Sequence, residues 1–242
     1  MPKKTMSLYL NRNIDNDTIL GIWKIEEIFN WFISQSQLNN EDRQFVNHYK
    51  SEQRKIHWLS TQLLLRHLLN SKKKVEINYD QNGKPHLTDS MYEISISHSN
   101  KFVAIQLSKT CAGIDIQQVT QKIKRIATKF MNAQEINSLE ENNYIEQLHV
   151  YWGAKETLYK IYGKRALHFK KNLLIEPFEY KGKGVINGCI SIGKMKPHLT
   201  GDHPIGWETY SLHYEKIENY MLVYVLKKST NSESIRIQDK DK

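Results

Sequence analysis

Hydrophobic and polar residues alternate in blocks along this chain, and the period of alternation changes from block to block. "SLYLNRNI" and "TILGIWKIEE" near the start are short and rich in β-branched and aromatic residues, which predicts two strands. From about Glu26 to Asn70 the period becomes helical. It is clearest in "SEQRKIHWLSTQLLLRHLLN", where Ile56, Leu59, Leu63, Leu64 and Leu68 recur three and four residues apart. Ser51 suits an N-cap there and Asn70 a stop. "VEINYDQNGKPHL" carries an Asn82-Gly83 turn between strand-like flanks. "YEISISHSNKFVAIQLSKTCAGIDIQQV" then predicts three strands, broken at "SHSN" and "SKTCAG".

Helical pattern returns from about Lys122 to Tyr162, with a capping-box signature in "NAQE" at Asn132–Glu135 and Gly163 where a helix would end. "NLLIEPFEY", "GVINGCISIG", "WETYSLHY" and "NYMLVYVLKK" follow as strands, and the stretch from Ser229 is a polar tail. The order of elements is strands, helices, strands, then helices, strands. It predicts an α+β chain in two halves, residues 1–110 and 111–228, with a tail at 229–242.

The 242 residues, 39% of them hydrophobic, can bury a real core. No apolar run approaches the ~20 residues of a membrane span, and the N-terminus has no signal-peptide pattern. Two isolated cysteines make neither a disulfide framework nor a zinc site, so a reducing cytoplasm is the simplest setting. The formal net charge of +9 favours anionic partners, or serves solubility alone. No zinc finger, RNP-type sequence or continuous basic helix speaks for nucleic acid.

Three short stretches carry candidate chemistry. In "GIDIQQV", strand alternation sends Ile114 and Ile116 to a core and Asp115 and Gln117 to the opposite face. A carboxylate beside a glycine at a strand end suits a hard cation, and it equally suits solvent. In "ISISHSN", Ser95 and Ser97 share a face and His98 follows at the strand end. Hydroxyl and imidazole there can hold a phosphate oxygen, or cap their own turn. In "YWGAKETLYKIYGK", Trp152, Glu156 and Lys160 fall at i, i+4 and i+8 on one helix face, with Lys155 flanking Glu156. Glu156 to Lys160 is also an ordinary helix-stabilising pair.

Order and combination say more than any one stretch. "GKP" at 83–85, "SISHS" at 95–99, "GIDI" at 113–116, "FMNAQE" at 130–135 and "WGAKETLYK" at 152–160 follow in sequence. The chain resembles the 4′-phosphopantetheinyl transferases, specifically the long, single-chain surfactin-synthetase type, over roughly residues 40–226. The resemblance implies two pseudo-symmetric α+β halves, each a small antiparallel sheet packed on a long helix, with the active site at the interface. It implies Mg²⁺-dependent transfer of the phosphopantetheine arm of coenzyme A to a serine of an acyl or peptidyl carrier protein, releasing adenosine 3′,5′-bisphosphate. The partners implied are coenzyme A and the carrier protein, with no nucleic acid or membrane, and the chain acts as a monomer.

Residue by residue, Asp115 matches the first metal carboxylate, and Glu156 the helix glutamate that binds the metal and accepts the serine proton. Lys155 and Lys160 match the lysines that hold the phosphates. Lys84, Ser97 and His98 match coenzyme A-contacting positions, and Arg54 and Arg43 are candidates for its 3′-phosphate. Gln117 stands where relatives usually have a glutamate, so it is the third metal position with one negative charge fewer. His57 and Gln62 also depart from the residues usual on the long helix. These departures open an alternative: a coenzyme A-binding homologue of weakened or lost activity.

Overall fold

The computed structural model describes residues 7–164, 167–191 and 207–228. The expected tail from Ser229 lies outside them. They form two compact units that divide between Gln118 and Val119.

The first unit opens with β1 (Leu8–Asn13) and β2 (Thr18–Lys24). The helices α1 (Phe29–Gln35), α2 (Asn40–His48) and α3 (Glu52–Leu68) follow. Then come β3 (Ile77–Tyr79), β4 (Pro85–Leu87), β5 (Glu93–Ser99), β6 (Phe102–Ser108) and β7 (Ile114–Gln118). Six strands make one antiparallel sheet in the order β1-β2-β6-β5-β4-β3. The helix α3 packs across β2 and β6. Leu59, Leu64, Leu65 and Leu68 of α3 meet Trp23, Ile94, Val103, Ile105 and Leu107 of the sheet in one buried cluster. That apolar stripe is what the three- and four-residue spacing foretold. The helix lies so close to β2 that a Cβ on Gly21 would stand 2.7 Å from both methyls of Leu68.

β7 is positioned from β5 by hydroxyls. Ser95, Ser97 and Ser99 alternate along β5 and accept from the backbone N–H groups of Ile114 (3.1 Å), Ile116 (3.1 Å) and Gln118 (3.2 Å). The period of two along both strands makes the three bonds possible. The Gln106 side chain accepts from Gly113 N at 2.9 Å and holds the entry to β7.

The second unit does not hold one continuous helix over 122–162. A 3₁₀ stretch (Gln121–Ile126) leads to α4 (Ala127–Phe130), α5 (Ala133–Asn137), a 3₁₀ turn (Glu141–Asn143) and the long helix α6 (Tyr144–Tyr162). Asn132 starts α5 as a full capping box with Glu135, which is why the helical pattern breaks there. Gly163, with φ of 67°, ends α6 in the left-handed region that glycine enters most readily. The chain continues through α7 (Phe169–Asn172), β8 (Leu173–Ile175), β9 (Lys183–Ser191), β10 (Trp207–Ile217) and β11 (Tyr220–Lys228). These four strands lie antiparallel in the order β11-β10-β9-β8, and α6 packs on β8, β9 and β11. Leu148, Val150, Tyr151, Ala154 and Leu158 give α6 its wholly buried face. Each unit is therefore a sheet covered by one long helix, the α+β class the element order implies.

Candidate active site

In the first unit the residues of interest cluster around β5 and β7. Ile114 and Ile116 are fully buried, as their alternation requires. Asp115 turns the other way, yet it too is only 7% exposed. Its Oδ1 accepts from Ser97 Oγ at 3.0 Å, and its Oδ2 from the Gln117 amide at 3.3 Å. Both donors are neutral, so neither of these two bonds cancels the carboxylate's charge.

Ser97 gives its single proton to Asp115 while its oxygen accepts from Ile116 N, so in this structure it orients a carboxylate. Gln117 turns its amide N–H towards Asp115.

Lys84 sits on the hairpin before β4. Its backbone N–H bonds Asp80 Oδ1 at 3.0 Å, and that bond leads the causes that hold the Asp80 carboxyl below its ordinary value. The Lys84 ammonium lies 3.4 Å from Glu93, a partner half exposed to water. Such a pair is worth at most about 1 kcal/mol and exchanges readily for a ligand anion. His98, at the end of β5, is exposed. Arg43 on α2 and Arg54 in the first turn of α3 are also exposed.

In the second unit, Trp152, Glu156 and Lys160 lie on a half-exposed face of α6, and the neighbours of Trp152 and Glu156 on either side are buried. Lys160 stands in the last turn, where the helix dipole favours a cation. Lys155 points the opposite way. It is fully buried, and its ammonium donates to Phe130 O (2.7 Å), Glu135 Oε2 (2.7 Å) and Phe169 O (3.2 Å). An ammonium has three protons, and all three are taken. Burial pulls the Lys155 pKa down and the Glu135 charge opposes that pull. The structure thus builds this lysine into the interior, with its three protons on protein oxygens.

Glu135 does more than close the capping box that its place in the sequence predicts. Its Oε2 does accept from Asn132 N at 2.8 Å, but it also holds Lys155, while Oε1 accepts from Ile175 N at 3.0 Å. One carboxylate thus ties α5, α6 and β8 together, and it holds α6 at Lys155, the residue before Glu156. A buried lysine beside a fully buried glutamate 20 residues away leaves no periodic trace in the sequence.

Residues 112–217 match the family profile described as the 4′-phosphopantetheinyl transferase superfamily. This part of the chain is similar to that superfamily. The matched span holds Asp115, Gln117, Glu135, Lys155, Glu156 and Lys160, whereas Arg43, Arg54, Lys84, Ser97 and His98 precede it. The chain is also 24% identical over 144 residues to 4′-phosphopantetheinyl transferase gsp of Aneurinibacillus migulanus, an overlap that takes in 57% of this chain. The chain spans 60% of the length of that curated relative in the match.

Among the described residues no helix is long and apolar enough to cross a membrane, and no three His, Cys, Asp or Glu side chains gather as a metal cage. A Mg²⁺ ion asks for no such cage. It keeps several waters and takes one or two carboxylates together with substrate phosphates.

Proposed function

We propose that this chain transfers the 4′-phosphopantetheine group from coenzyme A to a serine hydroxyl of an acyl or peptidyl carrier protein. The observation that carries the reading is the superfamily match over 112–217, in which the matched acids occupy chemically suitable settings. Asp115 is buried and oriented by Ser97, and Glu156 stands on the half-exposed face of its helix with Lys160 one turn on.

Asp115 and Glu156 are the carboxylates that would hold Mg²⁺, with the Gln117 oxygen or a water as a further ligand. When bound, the ion supplies positive charge to the diphosphate oxygens. Lys160 and Lys84 add positive charge for the phosphates of coenzyme A, His98 contributes an imidazole donor, and Arg54 and Arg43 are our candidates for the 3′-phosphate. Glu156 takes the proton of the carrier serine. The serine oxygen bonds to the phosphorus that bears the pantetheine, the bond from that phosphorus to the bridging oxygen breaks, and adenosine 3′,5′-bisphosphate departs with that oxygen. Positioning and charge neutralisation carry most of such a displacement.

The net charge of +9 would steer an acidic carrier protein towards the enzyme. We place the reaction in the cytoplasm and on a monomer. The test is release of adenosine 3′,5′-bisphosphate from coenzyme A, followed by chromatography. Release that requires both a carrier protein and Mg²⁺ supports the proposal. Coenzyme A binding without any release favours the second reading, a coenzyme A-binding homologue disabled at Gln117.

A further inference from the structure

Within the first unit, α3 and the turn between β5 and β6 meet through two histidines. The rings of His57 and His98 are stacked, with centroids 4.6 Å apart and planes 24° from parallel. His57 is only 8% exposed, whereas His98 faces solvent. His57 Nε2 lies 2.8 Å from the Asn100 carbonyl oxygen. A carbonyl can only accept, so Nε2 carries the proton. Gln53, one helical turn earlier, donates to the same oxygen at 3.2 Å. Asn100 itself is left-handed, with φ of 49°, in the two-residue turn that joins Ser99 to Phe102. The helix thus clamps the turn by its carbonyl and lays an aromatic floor under the imidazole at the end of β5.

We propose that His57 is a positioning residue for His98, holding its ring so that one nitrogen edge is offered to an anionic group of coenzyme A. The proposal rests on the reading of His98 as a coenzyme A contact. An exposed imidazole otherwise samples several rotamers, and each must be given up when the ligand is bound. A stacked partner removes that loss in advance.

The stack and the hydrogen bond are separable by substitution. His57→Phe keeps a ring under His98 and removes the donor to Asn100. His57→Gln keeps a donor and removes the ring. Calorimetric titration of the full chain with coenzyme A reads both, after circular dichroism has confirmed that each variant is folded.

An aromatic pair of this kind is worth ~3- to 10-fold in affinity. His57→Gln is expected to weaken coenzyme A binding by about that factor, and His57→Phe to recover most of the loss. In a His98→Ala background, His57→Gln is expected to add nothing further, because its effect passes through His98. Equal losses in the Phe and Gln variants, or an undiminished loss in the His98→Ala background, would overturn the positioning role alone. His98→Ala binding coenzyme A like the wild type would overturn the His98 assignment and this proposal with it, yet leave transfer standing. A wild-type chain that does not bind coenzyme A overturns the functional reading itself.

Discussion

The Lys155 ammonium lies 2.7 Å from the Glu135 carboxylate, and neither side chain reaches solvent. The pair closes a knot in which Phe130 and Phe169 supply carbonyls to the lysine while Asn132 and Ile175 supply N–H groups to the glutamate. Glu156 follows Lys155 directly in the chain, so the knot fixes the helical turn from which Glu156 projects.

Breaking one side of this pair leaves a buried charge without its partner, which costs roughly 3–5 kcal/mol. Glu135→Ala and Lys155→Ala are each expected to lose stability on that scale in urea unfolding. The double variant Glu135→Leu, Lys155→Met is expected to be less damaged than either single one. If Lys155→Ala unfolds like the wild type, the ammonium does not have the interior role described.

Ser97 has two tasks, and alanine removes both. Loss of its bonds to Asp115 and Ile116 N is expected to cost about 1–3 kcal/mol in stability. The same variant is expected to raise the Mg²⁺ concentration needed for half-maximal transfer, because Asp115 loses its orienting donor. Unaltered Mg²⁺ dependence in Ser97→Ala would contradict that link.

Tyr151 makes a prediction at high pH. Burial pushes its phenol up to about 12, only partly offset by the Ser138 hydroxyl 2.6 Å away. The folded state keeps the proton to about 12, whereas the unfolded chain releases it near 10. Between those values ionisation favours unfolding, so stability from this group is full below pH 10 and falls as pH rises towards 12. Tyr151→Phe has no phenol to ionise. The stability difference between wild type and variant should therefore shift by roughly 2–3 kcal/mol across that window, in disfavour of the wild type. Urea melts from pH 8 upwards would show it, and parallel curves for the two proteins would refute the assignment.

Charge at position 117 should tune the metal. Gln117→Glu adds a carboxylate beside Asp115 and is expected to lower the Mg²⁺ requirement several-fold. Asp115→Ala and Glu156→Ala should each remove most turnover while the fold persists, and Lys160→Ala should mainly weaken coenzyme A binding. A Mg²⁺ titration of activity for each variant decides. Near wild-type turnover of either alanine variant at limiting Mg²⁺ would exclude that acid as a ligand.

Much of this architecture could be read from local pattern. The stripe at Leu59, Leu64 and Leu68 gave α3 and its buried face, and the alternation of Ile114 and Ile116 gave β7. Gly163 and the box at Asn132 and Glu135 marked helix ends by their own local chemistry. What stayed hidden depends on partners far along the chain. Ser97 sits on a polar face, and only the arrival of β7 over β5 converts that face into an interior. Lys155 sits in a charged motif, and only a carboxylate 20 residues away explains why it is buried. His57 gave no sign of a functional role beyond its departure from the usual residue, because its stack with His98 spans 41 residues and two elements.

The central claim is covalent transfer, and intact-mass analysis of carrier proteins after incubation with this chain, coenzyme A and Mg²⁺ tests it most directly. The expected result is a carrier heavier by one phosphopantetheine, with the gain abolished by chelation of the metal and by Glu156→Ala. Carriers of unchanged mass, from fatty acid, polyketide and nonribosomal peptide systems alike, would contradict the claim.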